Sequence, residues 1–172
     1  KLERDARRGI KNRQIRAMMA GIPNVGKSTF INSYAGRACA KTGNRPGVTK
    51  GKQWIRLDKG LELLDTPGIL WPKFDDPEVG EWLAMIGSVR NEILNTEELS
   101  LKLIAFLMEA YPGILEGRYA LKEKGAQLEI LKQIAENRKC LVGGSELSYE
   151  KAAGLLMDDF RSGKLGRITL EQ

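Results

Sequence analysis

Apolar positions follow two regimes along the chain, strand-like first and helix-like afterwards. Ile15 to Ala20 is a short apolar run closed by Gly21, which predicts a buried strand. Lys27 to Ala35 predicts a helix stopped by Gly36. Residues 37–51 are rich in Gly, Lys, Thr and Asn and contain Pro46, so they read as a loop. Gln53 to Leu57 alternates, with Trp54, Ile55 and Leu57 able to pack, and Leu61 to Leu64 is a second apolar run. Asp58-Lys59-Gly60 between them reads as a hairpin turn.

After Pro67-Gly68 the period lengthens. Pro72 and Pro77 bracket a loop, and Val79, Trp82, Leu83, Ile86, Val89 and Ile93 then follow helical spacing. Thr96 is the expected N-cap of a helix carrying Leu99, Leu103, Phe106, Leu107 and Ala110. A third helix carries Leu128, Leu131, Ile134 and Ala135. A fourth carries Tyr149, Ala152, Ala153, Leu156 and Phe160 and stops at Gly163. With residues 1–14 polar, the expected layout is a linker or frayed helix over 1–14, an α/β core over 15–76 and an all-helical domain over 77–172.

Composition narrows the chemistry. The chain is 42% hydrophobic and 29% charged, as in ordinary globular proteins. No apolar run approaches the ~18 residues of a membrane span, and the polar start is no secretory signal, so a cytoplasmic setting without membrane is expected. The first residue is not Met, which suggests a fragment or processed chain. Cys39 and Cys140 are the two cysteines and histidine is absent, which argues against structural zinc and against a disulfide framework. Without histidine, catalysis must rest on phosphate electrostatics, carboxylates, metals or a partner.

Charge is clustered within the net +6. Residues 1–16 hold Lys1, Arg4, Arg7, Arg8, Lys11, Arg13 and Arg16 against Glu3 and Asp5; residues 41–56 hold Lys41, Arg45, Lys50, Lys52 and Arg56 with no acid. Such stretches suit a polyanion such as RNA, although a solvated basic surface would read the same way.

Gly21-Ile22-Pro23-Asn24-Val25-Gly26-Lys27-Ser28 matches G-x-x-x-x-G-K-[ST] between a predicted strand and a predicted helix. Gly21 and Gly26 let the backbone turn so that successive N–H groups face phosphates, and the helix N-terminus adds partial positive charge. Lys27 is placed to reach the β- and γ-phosphates and Ser28 to ligate Mg2+. Asp65-Thr66-Pro67-Gly68 follows an apolar strand; Asp65 can hold Mg2+, usually through water, and the Gly68 N–H can approach the γ-phosphate. In the loop between, Thr42 and Thr49 are both candidates for a further Mg2+ ligand and γ-phosphate contact, with Thr49 preferred.

The N-K-x-D motif that reads guanine in GTPases is missing after Gly68, and Cys39-Ala40-Lys41 lies too near the P-loop to stand for S-A-K. The sequence closely resembles the circularly permuted GTPases of the YlqF/RbgA group, which assist assembly of the large ribosomal subunit. The resemblance is carried by 21–29, by Ala40-Lys41-Thr42-Gly43-Asn44-Arg45-Pro46-Gly47-Val48-Thr49, and most specifically by Leu63-Leu64-Asp65-Thr66-Pro67-Gly68-Ile69-Leu70-Trp71-Pro72-Lys73.

That family places its base-reading motifs ahead of the P-loop, so the resemblance implies a member whose N-terminal part lies outside this chain. It also implies an RNA-binding helical tail, although residues 111–172 are not strongly basic. Ile69 stands where many GTPases place a water-orienting Gln, and Asn24 matches a P-loop Asn linked with K+ in such enzymes. For Asn24 a plain turn role reads equally well.

The expectation is therefore a P-loop α/β domain with a helical tail, binding and hydrolysing GTP with Mg2+ on pre-ribosomal RNA. Pro23, Asn24, Val25, Gly26, Lys27, Ser28, Thr29, Thr49 and Gly68 would bind nucleotide, and Ser28, Thr49 and Asp65 would hold Mg2+. A P-loop ATPase or nucleotide kinase, and an RNA-binding fragment with an incomplete nucleotide site, are the competing readings. In the tail, Trp82, Phe106, Tyr149 and Phe160 sit at core spacing and read as packing residues.

Overall fold

A computed structural model describes residues 2–9, 14–43, 47–57, 60–71, 73–89, 95–122 and 125–170. Arg45 and Pro46, the Asp58-Lys59 turn, Pro72, Ile93, and Lys1, Lys11 and Arg13 of the basic start lie outside the described residues. The chain divides into two compact units, Lys1–Lys73 and Phe74–Gln172.

The first unit opens with a short helix, α1 (Leu2–Arg7), and continues through β1 (Ile15–Met19), α2 (Lys27–Ala35), β2 (Gln53–Leu57) and β3 (Leu61–Asp65). The sheet order is β1-β3-β2. β1 runs parallel to β3, with Met19 opposite Asp65, and β2 runs antiparallel to it, with Gln53 opposite Asp65. β1 and β3 can be parallel neighbours because α2 and β2 lie between them in sequence, which gives the long crossover that parallel pairing requires.

Alternation divides the sheet into two faces. On one, Ile31 of α2 packs against Ile55, Leu63 and Ala40, with Met19, Cys39, Leu57 and Leu61 at the margin. The other carries the row Arg16–Glu62–Arg56. β1 departs from the expected buried strand: Ile15 to Met18 are exposed, because the core around Ile31 takes in Ile55 of β2 and Leu63 of β3 but only Met19 of β1. β3, flanked on both sides, takes the buried role instead.

The second unit comprises α3 (Pro77–Met85), α4 (Thr96–Ala110), α5 (Ile114–Tyr119), α6 (Gln127–Asn137), β4 (Leu141–Val142), β5 (Glu146–Leu147) and α7 (Tyr149–Arg161). Leu103, Ile104 and Leu107 of α4 form the centre of one core with Leu131, Ile134, Leu156 and Tyr119. Trp82, Phe106, Tyr149 and Phe160 pack against it.

Three local features depart from the sequence reading. The helix through Val79 stops at Met85: Gly87 adopts φ 78°, its N–H donates to Ala84 and that of Ser88 to Leu83. This pair of bonds is a Schellman termination, so Val89 lies beyond the helix. The cap of α4 is Asn95, whose side chain accepts from the N–H groups of Glu97 and Glu98, and Thr96 becomes its first helical residue. The unit is also not purely helical, since β4 and β5 form a small antiparallel hairpin ahead of α7.

Asp159 is 1% exposed yet fully engaged. Its carboxylate accepts from Arg118 Nε at 2.9 Å, the Tyr119 hydroxyl at 3.2 Å and Lys164 Nζ at 3.2 Å. Burial alone would raise its pKa, but the Arg118 and Lys164 bonds outweigh burial and hold it below the usual carboxylate value. A depressed folded-state pKa stabilises the fold above the unfolded pKa, and that contribution is lost as pH falls through the folded value. Asp159→Asn should therefore cost about 1.5–3 kcal/mol at neutral pH. Urea unfolding followed by circular dichroism checks this, and the gap from wild type should shrink once pH drops below about 4.

Candidate nucleotide-binding site

The P-loop starts where β1 ends. Gly26 holds φ 84° at the mouth of α2, a left-handed conformation that favours glycine. Asn24 also sits in the left-handed region, at φ 59°, which asparagine tolerates better than most residues and which matches its turn role. α2 has no acid in its first turn and no side-chain N-cap bond. Its first intrahelical bond is from Phe30 N–H to the Gly26 carbonyl, so the helix supplies no internal acceptor to the amides before it. Those amides and the helix dipole suit an anion.

Lys27 lies across the loop. Its Nζ donates to the carbonyl oxygens of Ile22 at 2.7 Å and Gly21 at 3.2 Å. Partial burial lowers its pKa, and the nearby Asp65 carboxylate opposes that shift. The ammonium is thus set within the loop beside the cluster formed by the hydroxyl next to it in sequence.

Ser28 Oγ donates to Asp65 Oδ2 at 3.0 Å and lies 3.2 Å from Thr49 Oγ1. Asp65 is 1% exposed, and its Oδ1 has no hydrogen-bond partner. A buried, unmatched carboxylate oxygen beside two hydroxyls is a hard-oxygen donor set of the kind Mg2+ takes, so the residues fit that ion. Of the two threonine candidates the structure brings Thr49 to the cluster, whereas Thr42 is exposed.

The D-x-x-G segment is fastened to the end of β1 and to the P-loop at three points. Thr66 Oγ1 donates to the Met19 carbonyl at 2.6 Å and the Ile69 N–H to the Gly21 carbonyl at 3.3 Å. At Gly68 a Cβ would fall 2.4 Å from the backbone of Pro23, so only glycine fits this approach. Beyond it Ile69 is 76% exposed, and Trp71 is exposed as well. Val25 and Thr29 are exposed on the P-loop and α2, and Pro23 is half-buried.

Sequence reasoning missed two of the residues that hold the site together. Asn32 clamps the start of the long loop to α2: its Oδ1 accepts from the N–H groups of Cys39 at 2.9 Å and Ala40 at 2.7 Å, and its Nδ2 donates to the Ala40 carbonyl at 2.8 Å. Thr66 is the other; its place between Asp65 and Pro67 was the available signal. Next to Thr49 and Asp65 opens a cleft of about 450 Å³ lined also by Lys41, Lys50 and Lys52.

A phosphate-cradling loop joined to a Ser–Thr–Asp oxygen cluster by a glycine-pinned D-x-x-G segment defines a P-loop nucleotide-binding domain of the GTPase type. The family model described as 50S ribosome-binding GTPase matches residues 16–142. The chain belongs to that family, which sets it apart from P-loop ATPases and nucleotide kinases.

It is similar to Ribosome biogenesis GTPase A of Bacillus cereus, 46% identical over 99% of this chain and 58% of the relative. The protein of the same name from Priestia megaterium is also 46% identical, over 99% of this chain and 60% of the relative. The chain thus spans less than two thirds of the length of these relatives. Among solved structures it resembles GDP-bound TM YlqF in fold, with TM-score 0.60, 24% identity and coverage of 99% of this chain and 66% of that one. GNP-bound YlqF from T. maritima gives TM-score 0.57 at 26% identity, over 99% of this chain and 64% of that one.

Gly68→Ala should displace the D-x-x-G segment from Pro23 and misplace Asp65 relative to Ser28. Under the GTPase function proposed below, nucleotide turnover in the full-length protein should fall on the order of 10- to 100-fold, with the circular dichroism spectrum retained. Unchanged turnover would show that the close approach is dispensable.

Proposed function

We propose that this protein binds and hydrolyses GTP with Mg2+ and acts in assembly of the large ribosomal subunit, contacting precursor ribosomal RNA. The observation that carries the reading is the Ser28–Thr49–Asp65 cluster with its unmatched carboxylate oxygen, in a chain of the 50S ribosome-binding GTPase family. The names of the relatives, Ribosome biogenesis GTPase A, support the assembly role.

In this reading the amides of residues 24–29 and the N-terminus of α2 receive the phosphates. Lys27 exchanges its bonds with the loop carbonyls for phosphate oxygens and balances their charge. Ser28 and Thr49, with Asp65 directly or through water, hold Mg2+, which when bound neutralises charge on the β- and γ-phosphoryl oxygens. Thr49 ties the loop before β2 to the triphosphate, and hydrolysis releases it. The Gly68 N–H faces the γ-phosphate. Ile69 carries no group able to orient water, so intrinsic turnover is slow and water is ordered by another group; Asn24 is the residue that would hold K+, which would supply positive charge in place of an arginine finger.

The organisation that goes with this reading is a circularly permuted GTPase core over 15–76, preceded by a basic segment over 1–14 and followed by a mainly helical RNA-contacting domain over 77–172. Base recognition then belongs to sequence ahead of the P-loop, in the part of the relatives this chain does not match. The setting is cytoplasmic.

Lys27→Ala should weaken GTP binding in the full-length protein by roughly 10- to 100-fold, the equivalent of one charge-assisted contact of about 1.5–3 kcal/mol. Titration with a fluorescent GTP analogue measures it, and a parallel ATP analogue tests guanine preference. Wild-type affinity in the variant, or equal affinity for both nucleotides, would overturn the reading. Ile69→Ala removes an exposed side chain with no polar group, so turnover per bound GTP should change about twofold or less in single-turnover assays. A large fall with affinity intact would assign Ile69 a direct part in the chemistry.

A further inference from the structure

The face of the sheet turned away from α2 plays no part in the nucleotide site. Trp54 sits there on β2, 50% exposed, on a strand paired along its length with β3. The Arg16 guanidinium lies 5.2 Å from the centre of its ring. Beside it Glu62, buried, accepts from Arg16 Nε at 2.9 Å and Arg56 Nε at 3.1 Å. Arg37 donates to the Arg56 carbonyl at 3.2 Å. An open cleft of about 490 Å³ runs between these groups.

The charge balance of this cleft is uneven. Three guanidiniums face one carboxylate, and Glu62 engages Arg16 and Arg56 through their Nε atoms. Those two side chains remain 67% and 81% exposed. A surface meant for an apolar partner would not ring its aromatic with cations. A rigid, half-exposed indole among guanidiniums matches a base with its flanking phosphates, the combination that single-stranded nucleic acids present. Duplex RNA offers no free base face to stack on.

We propose that this face binds single-stranded RNA, with one base stacked on Trp54 and the adjoining phosphates held by Arg16, Arg37 and Arg56. Glu62 acts as a positioning residue: it fixes Arg16 and Arg56 on either side of the central strand and so sets the spacing of the phosphate contacts. The proposal rests on the RNA partner of the reading above and adds to it a site and a recognition mode.

The test measures binding of a fluorescein-labelled, unstructured single-stranded RNA to the full-length protein by anisotropy, with an RNA duplex and a fluorescent GTP analogue as separate arms. Trp54→Leu keeps an apolar cover but removes the stacking surface, and should weaken single-stranded RNA binding roughly tenfold. Duplex and GTP-analogue binding should stay at wild-type values, and Trp54→Phe should retain most of the single-strand affinity. Arg37→Gln, exposed and bonded only to a backbone carbonyl, should reduce the salt slope of RNA binding by about 0.7.

Single-strand affinity unchanged in both Trp54→Leu and Arg37→Gln overturns the proposal, as does equal loss for single strand and duplex. So does a wild-type protein that ignores single strands because other parts of the full chain cover Trp54. Failure of the wild type to bind the GTP analogue would overturn the GTPase reading alone, since the RNA arms report independently.

Discussion

A carboxylate buried at the end of a central strand with one oxygen unmatched is the constraint around which the first unit is arranged. Leaving a polar group buried without a partner costs on the order of 1–3 kcal/mol, more for a charge. Asp65 holds its place because β3 is paired on both sides and because Ser28 accounts for one of its oxygens. Parallel pairing of β3 with β1 is what brings Asp65 level with Met19, just before the P-loop. Thr66 and Gly68 then lock the following residues onto that loop. Strand order, crossover and glycine are all consequences of bringing one acid to one hydroxyl.

The contrast with the other buried acids sets this one apart. Among the described residues Glu62, Asp65 and Asp159 are the buried carboxylates. Glu62 is held below the usual carboxylate range chiefly by its bond from Arg16, against the opposing effect of burial, with Arg56 assisting. Asp159 is met by Arg118, Lys164 and Tyr119. Both are matched by cations of the protein itself. Asp65 has the Lys27 charge nearby but no ion pair and an idle oxygen, which is what the proposed function requires of a residue that takes its balancing cation from outside. A divalent ion shared with phosphate oxygens meets that need.

The sequence was most informative where local chemistry dictates structure. The P-loop spacing, the extent of α2 from Lys27 to Ala35, and the β2–β3 pair all follow from glycine placement and period. It was least informative where tertiary competition decides. The apolar run of β1 promised burial, but burial depends on what packs over the strand's faces, which no local pattern encodes. Asn95 and Thr96 are both able caps, and only the geometry of the entering chain selects Asn95. The regular spacing from Val79 to Val89 concealed a stop at Gly87, because period counts apolar positions and ignores the left-handed glycine between them. Asn32 was invisible for another reason: its role depends on a backbone segment seven and eight residues ahead, folded back against the helix.

Asn32 also bounds what a bound nucleotide can move. At one end of the long loop it clamps Cys39 and Ala40 to α2 with three hydrogen bonds involving the backbone, and Ala40 is buried in the sheet–helix core. At the other end Gln53 enters the β2–β3 ladder opposite Asp65. Between these anchors lies the stretch with Thr49 and the exposed Lys41, Lys50 and Lys52, a stretch that itself contains no acid. Under the proposed function, gain or loss of the bond through Thr49 redirects those lysines while leaving α2 and the sheet where they are. In that proposal the anchors would convert a change at one hydroxyl into a change of surface charge pattern, which is the property a charged polymer such as RNA can read.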